Sequence, residues 1–250
     1  MIPISEKGFE RLAPPQRGEW RSLFKEREQT FEAYVARLTA RPSSAGGAIC
    51  LQPLGAAAER YASTLGLLRN YAEIYFAAEV RLLEPLPLFE NAHVLPRDQY
   101  NSSMILGELA DRVPADALAV LGITDRDLFA RGKAFVFGEG SFQQRAGIQS
   151  FARHETPDAA LFTRRALRLL IHEIGHLLGI AHCVTHRCVM QGSNTLEESD
   201  RHPLHLCPSD LRKLEWKTGV DRVGRYRKLG AFYSKNGLPE EAAWVAEQSR

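Results

Sequence analysis

No stretch of this chain approaches the roughly 18 consecutive apolar residues that a membrane-spanning helix needs. A dominant charge is missing too: 32 Lys and Arg against 30 Asp and Glu leave a formal net charge of +2. So small an imbalance gives nucleic acid or an anionic membrane no electrostatic handle, and neither is expected as a partner. The opening MIPISEKGFERLAPP has no apolar core of the kind a signal peptide carries, so a cytoplasmic address is expected. Internal repeats and low-complexity tracts are absent as well. An apolar fraction of 44% and a length of 250 residues are nevertheless enough to bury a real core, in one large domain or one with appendages.

Cysteine is scarce, with four in the chain, but it is unevenly spread. Cys183, Cys188 and Cys207 fall close together beside several histidines, whereas Cys50 stands alone in AICLQPLG. In a reducing compartment the cluster reads as metal ligation in preference to a disulfide framework. Cys50 is expected to be a small buried hydrophobe.

Residues 1–47 read as an N-terminal extension. Trp20, Leu23, Phe24, Phe31, Val35 and Leu38 recur at helical spacing through EWRSLFKEREQTFEAYVARL, and RPSSAGG follows as a flexible joint. YASTLGLLRNYAEIYF is expected to be a helix leading into a first strand, AAEVRLLEPLP. A helix from about Asn101 and strands in DALAVLGITDRDL, KAFVFGEG and GIQSFAR come next, with Gly138 and Gly140 allowing a bend. This order predicts a twisted mixed sheet with a helix against it, an α+β architecture. Thr156 and Pro157 are expected to open a long helix that runs through ALFTRRALRLLIHEIGHLL to Gly179. The remainder reads as mainly helical, with Trp216 and Trp244 packed inside.

The chemistry concentrates in HEIGHLLGIAH. His172 and His176 are four apart, so they share one helix face and both imidazoles can reach a single ion at about 2.0–2.1 Å. Glu173 follows the first histidine and falls beside the water position without being a ligand. Gly179 tolerates the positive φ of a tight turn, which lets His182 return as the third ligand. The whole fits HExxHxxGxxH. Three histidines, zinc and an adjacent carboxylate predict hydrolysis of a peptide or other amide, with Glu173 as general base. Met190 is expected as an apolar floor beneath the histidines.

At this point the chain resembles an archaemetzincin, one family of the metzincin clan of zinc peptidases. That family's motif, HExxHxxGxxHC followed by C-x-M and C-P-x-C, is matched by HEIGHLLGIAHC, CVM and LCPSD. RDQYNSSMILGEL, VLGITDRDLF, AFVFGEG and SNTLEESD are similar to family segments, and the resemblance covers about residues 76–218. It implies a compact metzincin fold over residues 48–250: an upper subdomain to about residue 182 with a mixed twisted sheet and the active-site helix, and a mainly helical lower subdomain, 183–250. It implies a catalytic zinc on His172, His176 and His182, and Met190 as the Met-turn methionine. A second, structural zinc is implied on Cys183, Cys188 and Cys207, but Asp210 stands where the family has a fourth cysteine.

Asp210 is the preferred fourth ligand, with His186, His202 and His205 as alternatives and loss of the second site also open. A monomer acting on a peptide or protein substrate is expected, with aminopeptidase-like action implied by the family. KAFVFGEG is the expected edge for main-chain pairing, with Phe137 and Gly138 open as either wall or core residues, and Phe142 and Phe151 expected to line or plug the cleft. Tyr100 is expected to pack. The rival reading is a zinc-organised peptide-binding or regulatory module with little turnover.

Overall fold

The computed structural model describes residues 4, 6–39 and 47–249. Its helices are α1 (Trp20–Leu23), α2 (Phe31–Thr39), α3 (Ala57–Arg60), α4 (Ala62–Phe76), α5 (Ser102–Ala110), α6 (Ala159–Leu177), α7 (Leu196–Asp200), α8 (Pro208–Thr218), α9 (Arg222–Lys235) and α10 (Pro239–Gln248). Its strands are β1 (Ala48–Pro53), β2 (Val80–Leu82), β3 (His93–Val94), β4 (Gln99–Asn101), β5 (Ala117–Thr124), β6 (Leu128–Phe129), β7 (Gly138–Ser141) and β8 (Ala146–Ser150). None of the described helices is long and apolar enough to cross a membrane. The chain divides into two compact units, residues 43–73 with 78–179, and residues 1–42 with 74–77 and 180–250. The expected joint RPSSAGG lies, but for Gly47, outside the described residues.

The first unit is built on a five-stranded sheet in the order β2-β1-β5-β8-β7, with a three-stranded sheet β3-β4-β6 beside it. β1 runs parallel to β2 and β5, and β5 parallel to β8, while β7 pairs antiparallel with β8 and forms an edge. This is the mixed sheet that the α+β reading expects. The sheet begins one strand earlier than the sequence suggested, because AICLQP is β1, central to the sheet and buried at all six positions. A strand covered on both faces loses the alternation that marks a half-exposed one. Cys50 sits fully buried on it, paired across the strands with Val120, in a core cluster that also holds Leu54, Ile148 and Ile105, Leu106 and Leu109 of α5.

Strand period places α5 and α6 on opposite sides of β7. A side chain added at Gly138 or Gly140 would meet Glu173 and His176 of α6, whereas Glu139 between them reaches Ser102 and Ser103 of α5. Neither glycine has a positive φ, so they serve close helix approach and not the expected bend. The N-cap of α6 is Asp158, whose carboxylate accepts from the amides of Ala160 (2.9 Å) and Leu161 (3.0 Å). Thr156 instead accepts from the Asp158 amide at 3.3 Å, so the helix starts two residues later than expected. Leu167, Leu170, Ile171 and Ile174 are fully or almost fully buried, each stabilising by about 1.5–3 kcal/mol. At the far end Gly179 has a φ of 89°, the positive value that closes the helix.

The second unit is mainly helical: α2 packs on α8, and α9 on α10. Its N-terminal segment runs antiparallel to the loop 184–187, with Leu12 N–H donating to Thr185 O at 2.9 Å and Arg187 N–H to Glu10 O at 2.8 Å. The single helix expected over residues 19–38 is two, because residues 24–30 leave the helical path. Two side chains there are drawn into tertiary hydrogen bonds, Glu26 to His182 and Gln29 to the Ala181 amide. Thr30 then caps a fresh start by accepting from Ala33 N–H at 3.1 Å. Trp244 stacks on His205 with ring centroids 3.8 Å apart, and Trp216 meets Tyr34 edge-on while remaining 37% exposed.

Candidate metal centres

Helical spacing brings His172 and His176 together at the C-terminal end of α6, their Nε2 atoms 3.1 Å apart. Two nitrogens at 2.0–2.1 Å from one tetrahedral ion stand about 3.3 Å from each other, so the pair fits a shared zinc. Glu173 points to the same neighbourhood of the sheet and is buried, and its Oε2 has no hydrogen-bond partner. Burial pushes the Glu173 carboxyl up to about 8, and the nearby Glu139 carboxylate adds to that, against the pull of Arg168 and Lys133. A cation beside the carboxyl would act in the opposite direction. Glu139 is fixed by the hydroxyls of Ser102 and Ser103, so its negative charge is held at a set place.

His182 belongs to the other unit, three residues beyond the Gly179 turn. Its Nδ1 is 2.7 Å from Glu26 Oε1, and the Trp20 indole meets its ring edge-on. The next residue, Cys183, donates its amide to the carbonyl of Met190 at 2.9 Å, and Met190 is fully buried.

Four residues expected at a second centre converge in that unit. Ligand atoms of Cys183, Cys188, Cys207 and Asp210 all lie within 4.8 Å of one another, and all four residues are buried. The Cys183 and Cys207 sulfurs are 3.7 Å apart, close to the roughly 3.8 Å that two thiolates keep on a tetrahedral zinc. Cys188 Sγ is 3.3 Å from Asp210 Oδ2, and the amides of Met190, Cys207 and Asp210 all point at cysteine sulfurs. Cys207 occupies the N-cap of α8, which is why Asp210, one turn in, faces back to it.

The three histidine alternatives lie outside this group. His186 pairs with Thr185 (3.0 Å), His202 with Ser193 (3.3 Å), and His205 stacks on Trp244. Burial raises the Asp210 carboxyl, as does the Cys183 sulfur, while the Lys213 ammonium 2.7 Å away draws it down. Burial likewise pushes the Cys188 thiol well up, and neighbouring sulfurs oppose its ionisation. Three sulfurs and a carboxyl oxygen this close together form a donor set that would fit one zinc ion. Lys213, which sequence reading missed, is buried with Asp210; its signal is the Asp-x-x-Lys spacing on one helix face.

Other expected residues prove to be packing. Phe151 is fully buried against Tyr61 and Phe162, and Tyr100 is stacked on His93. Phe137 is buried edge-on to His154, next to Gly138 at the start of β7.

Comparison with known proteins bears on the fold and the family. Residues 96–216 match the model of peptidase family M54. A mouse protein, archaemetzincin-2, is 32% identical over 94% of this chain and 77% of its own length. The archaemetzincin of Archaeoglobus fulgidus is 33% identical over 67% of this chain and 99% of its own. Its crystal structure superposes with a TM-score of 0.59 at 34% identity, covering 66% of this chain and 99% of that one. The archaemetzincin structure from Methanopyrus kandleri gives a TM-score of 0.62 at 28% identity, over 72% of this chain and 99% of that one. A helix carrying HExxH against a mixed sheet, in this company, makes the molecule a zinc metallopeptidase with a metzincin-like fold. More narrowly, the chain belongs to the archaemetzincin family.

Proposed function

We propose that this chain cleaves peptide bonds at a catalytic zinc held by His172, His176 and His182, with Glu173 as general base. The observation that carries the reading is the 3.1 Å approach of the His172 and His176 Nε2 atoms beside a buried carboxyl. The third ligand is proposed on the HExxHxxGxxH spacing, with Gly179 as the turn. When bound, zinc polarises the scissile carbonyl and acidifies water.

Glu173 takes the proton of the attacking water on Oε2, the oxygen without a hydrogen-bond partner, and returns it to the departing amine. The edge strand β7 offers its main chain to an extended substrate. A free substrate N-terminus is the finer proposal, giving aminopeptidase-like action. A second zinc, on Cys183, Cys188, Cys207 and Asp210, holds the loop after His182 to the start of α8 and has a structural role.

The test is a set of peptides with free and blocked N-termini, offered to the unaltered protein and to Glu173→Ala at equal loading. Cleavage by the unaltered protein alone, with zinc content equal in the two, is the expected result. Equal turnover by both would remove Glu173 as base, and no turnover by either would favour a peptide-binding module. Cleavage confined to blocked peptides would end the aminopeptidase proposal.

A further inference from the structure

The N-terminal region meets the proposed third zinc ligand through Glu26. Glu26 Oε1 lies 2.7 Å from His182 Nδ1. Its other carboxylate oxygen, Oε2, accepts from the Trp20 indole N–H at 2.8 Å. Trp20 is itself fastened: its amide donates to Glu198 Oε1 at 2.9 Å, and Glu198 Oε2 accepts from Asn194 N–H at 2.7 Å. Gly192 is the reason the indole fits, since a methyl group there would stand 2.5 Å from the indole nitrogen. On the other side, Gln29 Oε1 accepts from the amide of Ala181, the residue before His182. Residues 20–29 therefore hold His182 by its ring and by its backbone, and they lie outside the span 96–216 matched by the family model.

We propose that Glu26 is a positioning residue for the catalytic zinc, supplied by the N-terminal extension. This rests on the reading of His182 as the third ligand. A metal-binding imidazole must present one unprotonated nitrogen, and the hydrogen bond made by the other selects which. The Glu26 carboxylate accepts only, so it fixes the proton on His182 Nδ1 and assigns the metal to Nε2. It also stops the ring from turning. Trp20 keeps Glu26 in place from behind through the Oε2 hydrogen bond and walls the imidazole with its own ring. The extension is thus part of the metal site and not an appendage to it.

The experiment compares full-length Glu26→Ala, Glu26→Gln, Trp20→Phe and His182→Ala with the unaltered protein. The affinity of each zinc is measured by competition with a chromogenic chelator, and the His182 tautomer by imidazole nitrogen resonances of the zinc-loaded protein. Glu26→Ala should release the more weakly held zinc about 10–100-fold more readily and leave the cysteine-bound zinc unchanged. Its His182 Nδ1–H resonance should lose protection from exchange. Glu26→Gln keeps an acceptor without the charge and should recover part of the affinity, and Trp20→Phe should lose less than Glu26→Ala. The proposal is overturned if Glu26→Ala and Glu26→Gln both hold zinc as tightly as the unaltered protein with the tautomer unchanged. It is equally overturned if removal of Glu26 raises zinc affinity or turnover, which would mark Glu26 as a blocking group. His182→Ala separates the two ideas: if it keeps two zincs at full affinity, the ligand reading itself has failed. If it loses one while Glu26→Ala loses none, only the positioning role has failed. Should Glu26→Ala not fold, the glutamine and phenylalanine variants carry the same readouts.

Discussion

Gly138 lies so close to Glu173 that a methyl group on its α-carbon would stand 2.4 Å from Oε1 and 2.8 Å from the backbone oxygen of Ile148. The rigid neighbour is the strand, so the adaptable one, the proposed base, must move. Gly138→Ala should cost about 1–3 kcal/mol of stability as overpacking. It should also lower peptide turnover in the fraction that remains folded. Gly107→Ala on α5 is the control, because nothing lies within 4 Å of its added carbon. It should stabilise by about 0.5–1 kcal/mol. Denaturant titrations paired with a peptide assay would check both, and a Gly138→Ala protein of full activity would contradict the close approach.

Glu173→Gln keeps the shape of the side chain and removes its ability to take a proton. Turnover should fall by about 10²–10⁴-fold while zinc content stays the same. Metal analysis alongside single-turnover kinetics distinguishes this from simple loss of metal.

Asp210 sits between the cysteine sulfurs and the Lys213 ammonium, both carboxylate oxygens engaged. Asp210→Ala leaves a buried ammonium unpaired and removes the proposed fourth ligand, so about 3–5 kcal/mol of stability and one zinc should go. Asp210→Cys supplies a fourth thiolate in its place and should keep two zincs per chain. Retention of two zincs by Asp210→Ala would show that another group completes the centre. A strong chelator should lower the melting transition of the unaltered protein more than that of Asp210→Ala, which has less metal to lose.

Acid should weaken the sheet unit through Asp127. Burial alone would raise this carboxyl, but the two-pronged Arg153 contact (2.6 and 2.7 Å) and the Gln99 amide outweigh it and hold it below its ordinary 3.8. A group with a depressed folded value contributes stability above that ordinary value and loses it as pH falls below. Urea midpoints should therefore drop between about pH 5 and pH 3, and the drop should be smaller in Asp127→Asn.

Local spacing carried much of the design. The four-residue step between His172 and His176, the carboxylate after the first, and the glycine that ends α6 were legible because helix geometry ties near neighbours to one face. The cysteine grouping was legible for a similar reason, since short separations limit where the thiols can go. Asp210 was preferred from the C-P-x-C pattern, and its carboxylate lies within 4.8 Å of the three sulfurs.

What sequence by itself determined, then, is the chemistry: which imidazoles, which carboxylate and which thiols are available, and the family that uses them. Only the tertiary structure decided what holds them. Glu26 and His182 are 156 residues apart, and β1 is recognisable as a central strand only once β2 and β5 flank it. No periodicity encodes such pairings, because they arise from which surfaces meet after the chain has folded. Nor could composition say that Gly138 and Gly140 are there to admit a helix, as their φ values are ordinary and only the nearness of Glu173 explains them.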